Sequence, residues 1–237
     1  MKRIFDAFLN LIYPPICLHC NSKLSDPSTL LCAQCLSLLE LVDPQERCPL
    51  CFSVNYCTKK RRCDECYKRH PILNGLAASF DYLGPAATLV KKLKYSNQTY
   101  LAEGCGAYLA AQFLSLEWPM PDLIVPVPIA FTHLFERGFN QSLLLAENLA
   151  KILQCPVVQP LKRTSGDYSQ AGLNKMQRLK LEGSTIYLKK KQVLQDKRIL
   201  LIDDVTTTGS TLRKCAEALL EGYPTSVHAL CVCKALE

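Results

Sequence analysis

The stretch RILLIDDVTTTGST, residues 198–211, decides the fold. Residues 198–203 form an apolar run ending in acid, and its unbroken hydrophobicity predicts a strand covered on both faces, as in a parallel sheet. Ligands of such sheets meet the carboxyl ends of the strands, and that is where Asp203 and Asp204 fall. The next residues, Val205, Thr206, Thr207, Thr208, Gly209, Ser210 and Thr211, lead into a helix. Loop amides, threonine hydroxyls and a helix N-terminus together suit a phosphate, and Gly209 lets the main chain approach closely. The run is neither the dinucleotide GxGxxG fingerprint nor a GxxxxGK[ST] loop. Two carboxylates would repel a nucleotide's phosphate chain, but they accept hydrogen bonds from a sugar diol. The combination fits a ribose 5-phosphate carrying an anionic, Mg²⁺-bound group at carbon 1. The plainer alternative is a strand that ends in two aspartates and a helix capped by threonines.

Cysteine is the unusual component, with 14 in 237 residues. Cys17-x2-Cys20-x11-Cys32-x2-Cys35 recurs 31 residues later as Cys48-x2-Cys51-x11-Cys63-x2-Cys66. Each CxxC knuckle aims two sulfurs at one ion and a second knuckle completes a tetrahedron, so the spacing predicts two closed, structural zinc sites. Reduced core cysteines and an iron–sulfur cluster are the alternatives. Cys57 is a spare, an alternative ligand for the second site, and His19, inside the first knuckle, could replace a sulfur. The remaining five, Cys105, Cys155, Cys215, Cys231 and Cys233, sit among apolar neighbours and read as inert buried thiols.

The formal net charge of +7 falls to about +3 once eight thiolates hold two Zn²⁺. Nucleic-acid binding must therefore come from local patches: Lys59-Lys60-Arg61-Arg62, Lys91-Lys92-Leu93-Lys94, and Lys189-Lys190-Lys191 as a third. No apolar run is long enough to span a membrane. The start, MKRIFDAFLNLIYPPICLHC, reads as an amphipathic helix rather than a signal peptide, because Asp6 and Asn10 interrupt the apolar stretch and no cleavage site follows. Lacking an export signal, the chain is expected in the cytoplasm, where clustered cysteines bind metal.

Composition changes near residue 70, which divides the chain into a cysteine module (1–70) and an α/β domain (71–237). In the second part, strands are expected at 76–82, 123–127, 156–158, 198–203 and 227–233, with helices at 86–94, 99–116, 140–153 and 210–221. Asn140 is a candidate cap for its helix and Gly222 the closure of the last one. Residues 164–183 are polar and lack a clear period.

ILLIDDVTTTGST resembles the phosphoribosyl pyrophosphate (PRPP) motif of type I phosphoribosyltransferases. With Leu93-Lys94-Tyr95, VPVP at 125–128, ERGFNQSLLLA at 136–146, RTSGDYSQAGLNKMQR at 163–178 and the double cysteine module, the chain resembles the competence protein F family over nearly its whole length. The resemblance implies a type I phosphoribosyltransferase-like parallel sheet behind an N-terminal double zinc ribbon. It implies a cytoplasmic protein of natural transformation that handles incoming single-stranded DNA and binds PRPP with Mg²⁺. By matching position, Asp203 and Asp204 would hold the ribose hydroxyls and Thr206, Thr207, Thr208, Gly209, Ser210 and Thr211 the 5-phosphate. Val127 and Pro128, at the turn after LIVPVP, would meet the pyrophosphate, with Lys94 and Arg137 as its charge partners; a stiff strand end explains those prolines equally well. Arg163, Gln170 and Arg178 fall in a loop that closes over the ligand.

Nucleobase-using members of the fold need a hood, and the zinc module is expected to take that place, with Lys59, Lys60, Arg61 and Arg62, Tyr56 and Tyr67, Lys91 and Arg163 as nucleic-acid candidates. The alternatives are an active phosphoribosyltransferase that moves ribose 5-phosphate to a base or amine, and a scaffold docking to a helicase-like uptake protein. The acceptor and the catalytic residues are not legible in the sequence.

Overall fold

The computed structural model describes residues 14–56, 61–69, 71–164, 185–189 and 193–236. The central sheet holds β1 (Gly75–Asp81), β2 (Leu123–Pro126), β5 (Arg198–Thr206) and β6 (Ser226–Lys234) in the order β1-β6-β5-β2, all parallel. Val157 adds an isolated parallel bridge to Ile124, where a short strand was expected. Residues 199–202 are all buried, as a strand covered on both faces requires. Around the sheet lie α3 (Gly84–Tyr95), α4 (Leu101–Ser115), α5 (Phe131–Arg137), α6 (Gln141–Leu153) and α7 (Ser210–Leu220), following α1 (Ala33–Leu36) and α2 (Asp64–Lys68) of the cysteine module. β3 (Leu161–Arg163) and β4 (Ile186–Leu188) form a separate antiparallel pair.

Asn140 caps α6 as expected, its side chain accepting from Ser142 N at 3.1 Å. Two boundaries differ in an instructive way. β5 runs past the acid pair to Thr206, because Val205 and Thr206 still pair with Cys233 and Lys234 of β6. α7 ends at Leu220, and Gly222 serves packing rather than a left-handed cap: a Cβ there would lie 2.9 Å from buried Leu194, and Tyr223 carries the positive φ of 55°. α5 and the β3–β4 pair were not expected at all.

The 31-residue repeat is one of structure as well as of sequence. Cys17 N donates to Ser22 O and Asn21 N to Cys17 O; Cys48 N donates to Ser53 O and Phe52 N to Cys48 O. Asn21 (φ 60°) and Phe52 (φ 59°) take the same left-handed turn, and α1 and α2 each start directly after the third cysteine of their knuckle pair. Both halves rest on the α/β part. Val42 N donates to Ser79 O, Leu76 N to Pro49 O, and Arg47 pairs with Asp81 at 2.8 Å while lying over the Phe52 ring. Phe52, Leu31 and Leu39 belong to the same apolar cluster as the sheet residues. Cys105, Cys155, Cys215, Cys231 and Cys233 are buried, and burial pushes each thiol up, that of Cys105 to about 12. Residues 1–13 of the stretch expected to start with an amphipathic helix, Cys57, Lys59, Lys60 and most of the expected closing loop lie outside the described residues.

Candidate functional site

Parallel pairing of β2, β5 and β6 delivers Asp203 and Asp204 beside the turn that follows β2. A cavity of about 170 Å³ opens there. Its walls hold Asp203, Asp204, Lys94, Val127, Pro128, Arg137, Arg163 and Thr211, so it gathers both acids and both expected cations from three separate segments. Lys94 Nζ lies 2.8 Å from Asp204 Oδ1, which also accepts from Val205 N. Asp203 Oδ1 accepts from Ser142 Oγ at 2.9 Å and from Asp204 N at 2.9 Å. Asn140 ties the elements together, donating from Nδ2 to Val127 O while its other amide atom holds Ser142 N. The turn after β2 and the start of α6 are thus locked to the acid pair through adjacent residues of one motif.

Burial and the neighbouring Asp204 charge raise the Asp203 carboxyl to about 7, against a smaller pull from Ser142. Burial alone would lower the Lys94 amine, but the charges of Asp204 and Asp203 outweigh it and hold it above its usual range. Arg137 lies 5.0 Å over the Tyr95 ring and donates to Gln141 Oε1 at 3.3 Å. Gln141 lines the same cavity; it is only 3% exposed, and its Nε2 has no hydrogen-bond partner among the described residues. A buried amide donor without a partner costs on the order of 1–3 kcal/mol, which a ligand oxygen would recover. Gln141 and Ser142 were not singled out from sequence, although both stand in the quoted ERGFNQS stretch.

The threonine loop divides its residues. Thr211 faces the acid-pair cavity, whereas Thr207, Thr208 and Gly209 line a second cavity of about 380 Å³. That larger space is walled on its far side by Cys51, Ser53, Asn55, Cys63, Asp64 and Glu65 of the cysteine module. Arg213 and Lys234 also reach it, and Lys234 Nζ donates to Thr207 O at 2.8 Å. Thr206 is buried, with its carbonyl bound by Ala235 N. Gly209 takes a left-handed φ of 73° at the start of α7 and brings no capping side chain, while Ser210 N, the first helical amide, donates to Thr208 Oγ1 at 3.4 Å. The two cavities share this loop as a wall.

Cys17, Cys20, Cys32 and Cys35 form one group, and Cys48, Cys51, Cys63 and Cys66 another, with the sulfurs of each within 4.8 Å of one another. Each group could hold a metal ion. Cys20 and Cys32 sulfurs are 3.7 Å apart and those of Cys51 and Cys63 3.5 Å, against about 3.8 Å for the edge of a tetrahedron with Zn–S bonds near 2.3 Å. His19 Nδ1 pairs instead with Thr88 Oγ1 at 2.8 Å and stands outside the first group. Of the nucleic-acid candidates, Arg61 and Arg62 are exposed, Arg62 lying over the Tyr67 ring. Lys91 is exposed over Tyr82, and Arg163 turns to the acid-pair cavity. No helix among the described residues is long and apolar enough to cross a membrane.

Residues 140–237 match the family described as Phosphoribosyl transferase domain. Competence protein F of Haemophilus influenzae is 29% identical over 210 residues, 86% of this chain and 90% of that protein. DNA utilization protein YhgH of Escherichia coli K12 is 28% identical over 95% of this chain and 100% of its own length. Competence protein ComFC of Bacillus subtilis is 27% identical over 89% and 90%. Among solved structures, a glutamine phosphoribosylpyrophosphate amidotransferase from B. subtilis aligns with a TM-score of 0.40 at 18% identity, over 57% of this chain and 26% of that one. Over most of its length the chain is similar to proteins named competence protein F and DNA utilization protein, and it carries a phosphoribosyltransferase-like parallel sheet behind a pair of four-cysteine groups.

Proposed function

We infer that this protein binds PRPP between its acid pair and its threonine loop, and that it serves DNA uptake by handling single-stranded DNA. The observation that carries the ligand is the amide of Gln141, without a partner among the described residues and buried in the same cavity as Asp203, Asp204 and Arg137. Ribose hydroxyls donate to the two carboxylates, the 5-phosphate takes the loop amides, and the pyrophosphate meets Gln141, Arg137 and Lys94. Mg²⁺ bound with PRPP would neutralise the pyrophosphate. Lys94 must then leave Asp204 for the ligand, an exchange of one anion for another. Both cysteine groups hold zinc, which fixes knuckles that such short segments could not otherwise stabilise.

The names of the relatives support the role in DNA uptake, and the cysteine module gives it a place. It forms the far wall of the 380 Å³ cavity beyond the phosphate loop, which is where a hood would close over an acceptor. Arg61, Arg62 and Tyr67 of the same module offer charge and a ring to a strand. A phosphoribosyltransferase reading remains as a second one, favoured by that cavity and by the complete acid pair, neither of which a scaffold needs. Titrating PRPP and Mg²⁺ while following pyrophosphate release with candidate bases, beside a gel shift of single-stranded DNA over increasing salt, separates the two. Release with one acceptor supports the transferase; strand binding that weakens steeply with salt supports the DNA role. Unchanged PRPP affinity in Asp203→Asn/Asp204→Asn would place the ligand elsewhere.

A further inference from the structure

We propose that a strip of alternating rings and cations, formed by Tyr82, Lys91, Tyr95 and Arg137 and ending at the acid-pair cavity with Arg137, grips single-stranded nucleic acid; this rests on the DNA-handling reading and gives the strand a contact away from the cysteine module. Lys91 Nζ stands 5.9 Å from the Tyr82 ring centre and the Arg137 guanidinium 5.0 Å from that of Tyr95. Lys91 and Tyr95 are four residues apart on α3 and so share one face of it. The order along the surface is therefore ring, cation, ring, cation. Tyr95 is 72% exposed although Arg137 lies over it, which leaves a wide apolar surface to solvent.

A protein partner of ordinary apolar kind would want a continuous apolar face here, whereas this surface interrupts each ring with a charge. Unpaired bases stack on aromatic rings whatever their identity, and the phosphates between them meet cations at the same spacing. A duplex cannot use the rings, since its bases are already stacked. Arg137 belongs both to the strip and to the wall of the acid-pair cavity. The strip therefore leads a strand to the ribose site and stops there.

Fluorescence anisotropy of the full chain with a labelled oligothymidylate tests this, with PRPP affinity measured on each variant by calorimetry. Tyr95→Ala should weaken the single strand about tenfold, and Tyr95→Phe should bind within about twofold of the parent, because the ring and not the hydroxyl carries the stack. Lys91→Ala should reduce the slope of log affinity against log salt by about 0.7, one phosphate contact on a single strand. PRPP binding should be unchanged in Tyr95→Phe and Lys91→Ala, which keep the ring beneath Arg137. Parent-level strand binding by Tyr95→Ala, loss in Tyr95→Phe as large as in Tyr95→Ala, or duplex binding as tight as single-strand binding overturns the strip. A strand weakened only by Tyr67→Ala overturns the strip and leaves the DNA role standing. No strand binding by the parent overturns both.

Discussion

Asp203 should make ligand affinity depend on pH with a sign opposite to that of its effect on stability. Crowded by surrounding protein and by Asp204, its carboxyl sits at about 7. Ribose hydroxyls donate hydrogen bonds, so the ligand prefers the ionised form, and below pH 7 a proton must leave before the contact forms. With that midpoint the group is about nine-tenths ionised at pH 8 and about one-tenth at pH 6, so affinity should fall about tenfold between them. Folding stability moves the other way. A carboxyl raised above its unfolded value binds more protons when native, so this group stabilises the protein progressively as pH falls from about 7 toward 4. Loss of binding at pH 6 therefore cannot be blamed on unfolding through this residue. Calorimetric titration with ribose 5-phosphate at pH 6, 7 and 8, beside thermal melts at the same values, reads both signs. Asp203→Asn controls for titration of the sugar's own phosphate and should flatten the difference. A parent and an Asp203→Asn variant with the same pH profile would refute the reasoning, as would affinity that rises on acidification.

Lys94→Met removes a charge that lowers the Asp203 carboxyl, so the midpoint of that affinity profile should move to higher pH; an unmoved midpoint would mean that the amine at Asp204 does not reach its neighbour. Metal analysis of the purified chain should give close to two zinc ions per molecule, and Cys35→Ser or Cys66→Ser should each remove about one. Gly222→Ala forces a methyl to within 2.9 Å of buried Leu194 and should cost about 1–3 kcal/mol in urea unfolding while leaving PRPP affinity intact.

What could be read from sequence follows the range over which each signal acts. The β5 apolar run, the acids behind it, the Asn140 cap and the cysteine repeat are each set by neighbours within a few positions, and all four appear where expected. The end of β5 was misjudged because its last pairing residues, Val205 and Thr206, are held by β6 and not by their own character. α5 carries apolar residues at helical spacing, Phe131, Leu134 and Phe135, but it is only seven residues long between a proline-rich turn and Gly138, too short for the period to stand out, and those residues are exposed. The β3–β4 pair joins segments of three residues across more than twenty positions, too short and too far apart for a period to show. Lys94 was a candidate for ligand charge, but its pairing with Asp204, 110 positions away, is visible only in the fold.

The Lys94–Asp204 pair bears on how the site can work. In the free protein the acid that should accept a ribose hydroxyl already has a cation at 2.8 Å, so the cavity is electrostatically matched to itself. A ligand that brought only a diol would have to compete with that ammonium and would gain little. A ligand that brings a diol together with a second anionic group gives Lys94 somewhere else to go, and the two exchanges then support each other. The arrangement therefore selects for sugar phosphates charged at both ends over ribose 5-phosphate alone. The expected measure is a preference for PRPP that shrinks in Lys94→Met, chiefly through weaker PRPP binding. Equal loss of both ligands in that variant would assign Lys94 to the fold of the cavity and not to its choice of ligand.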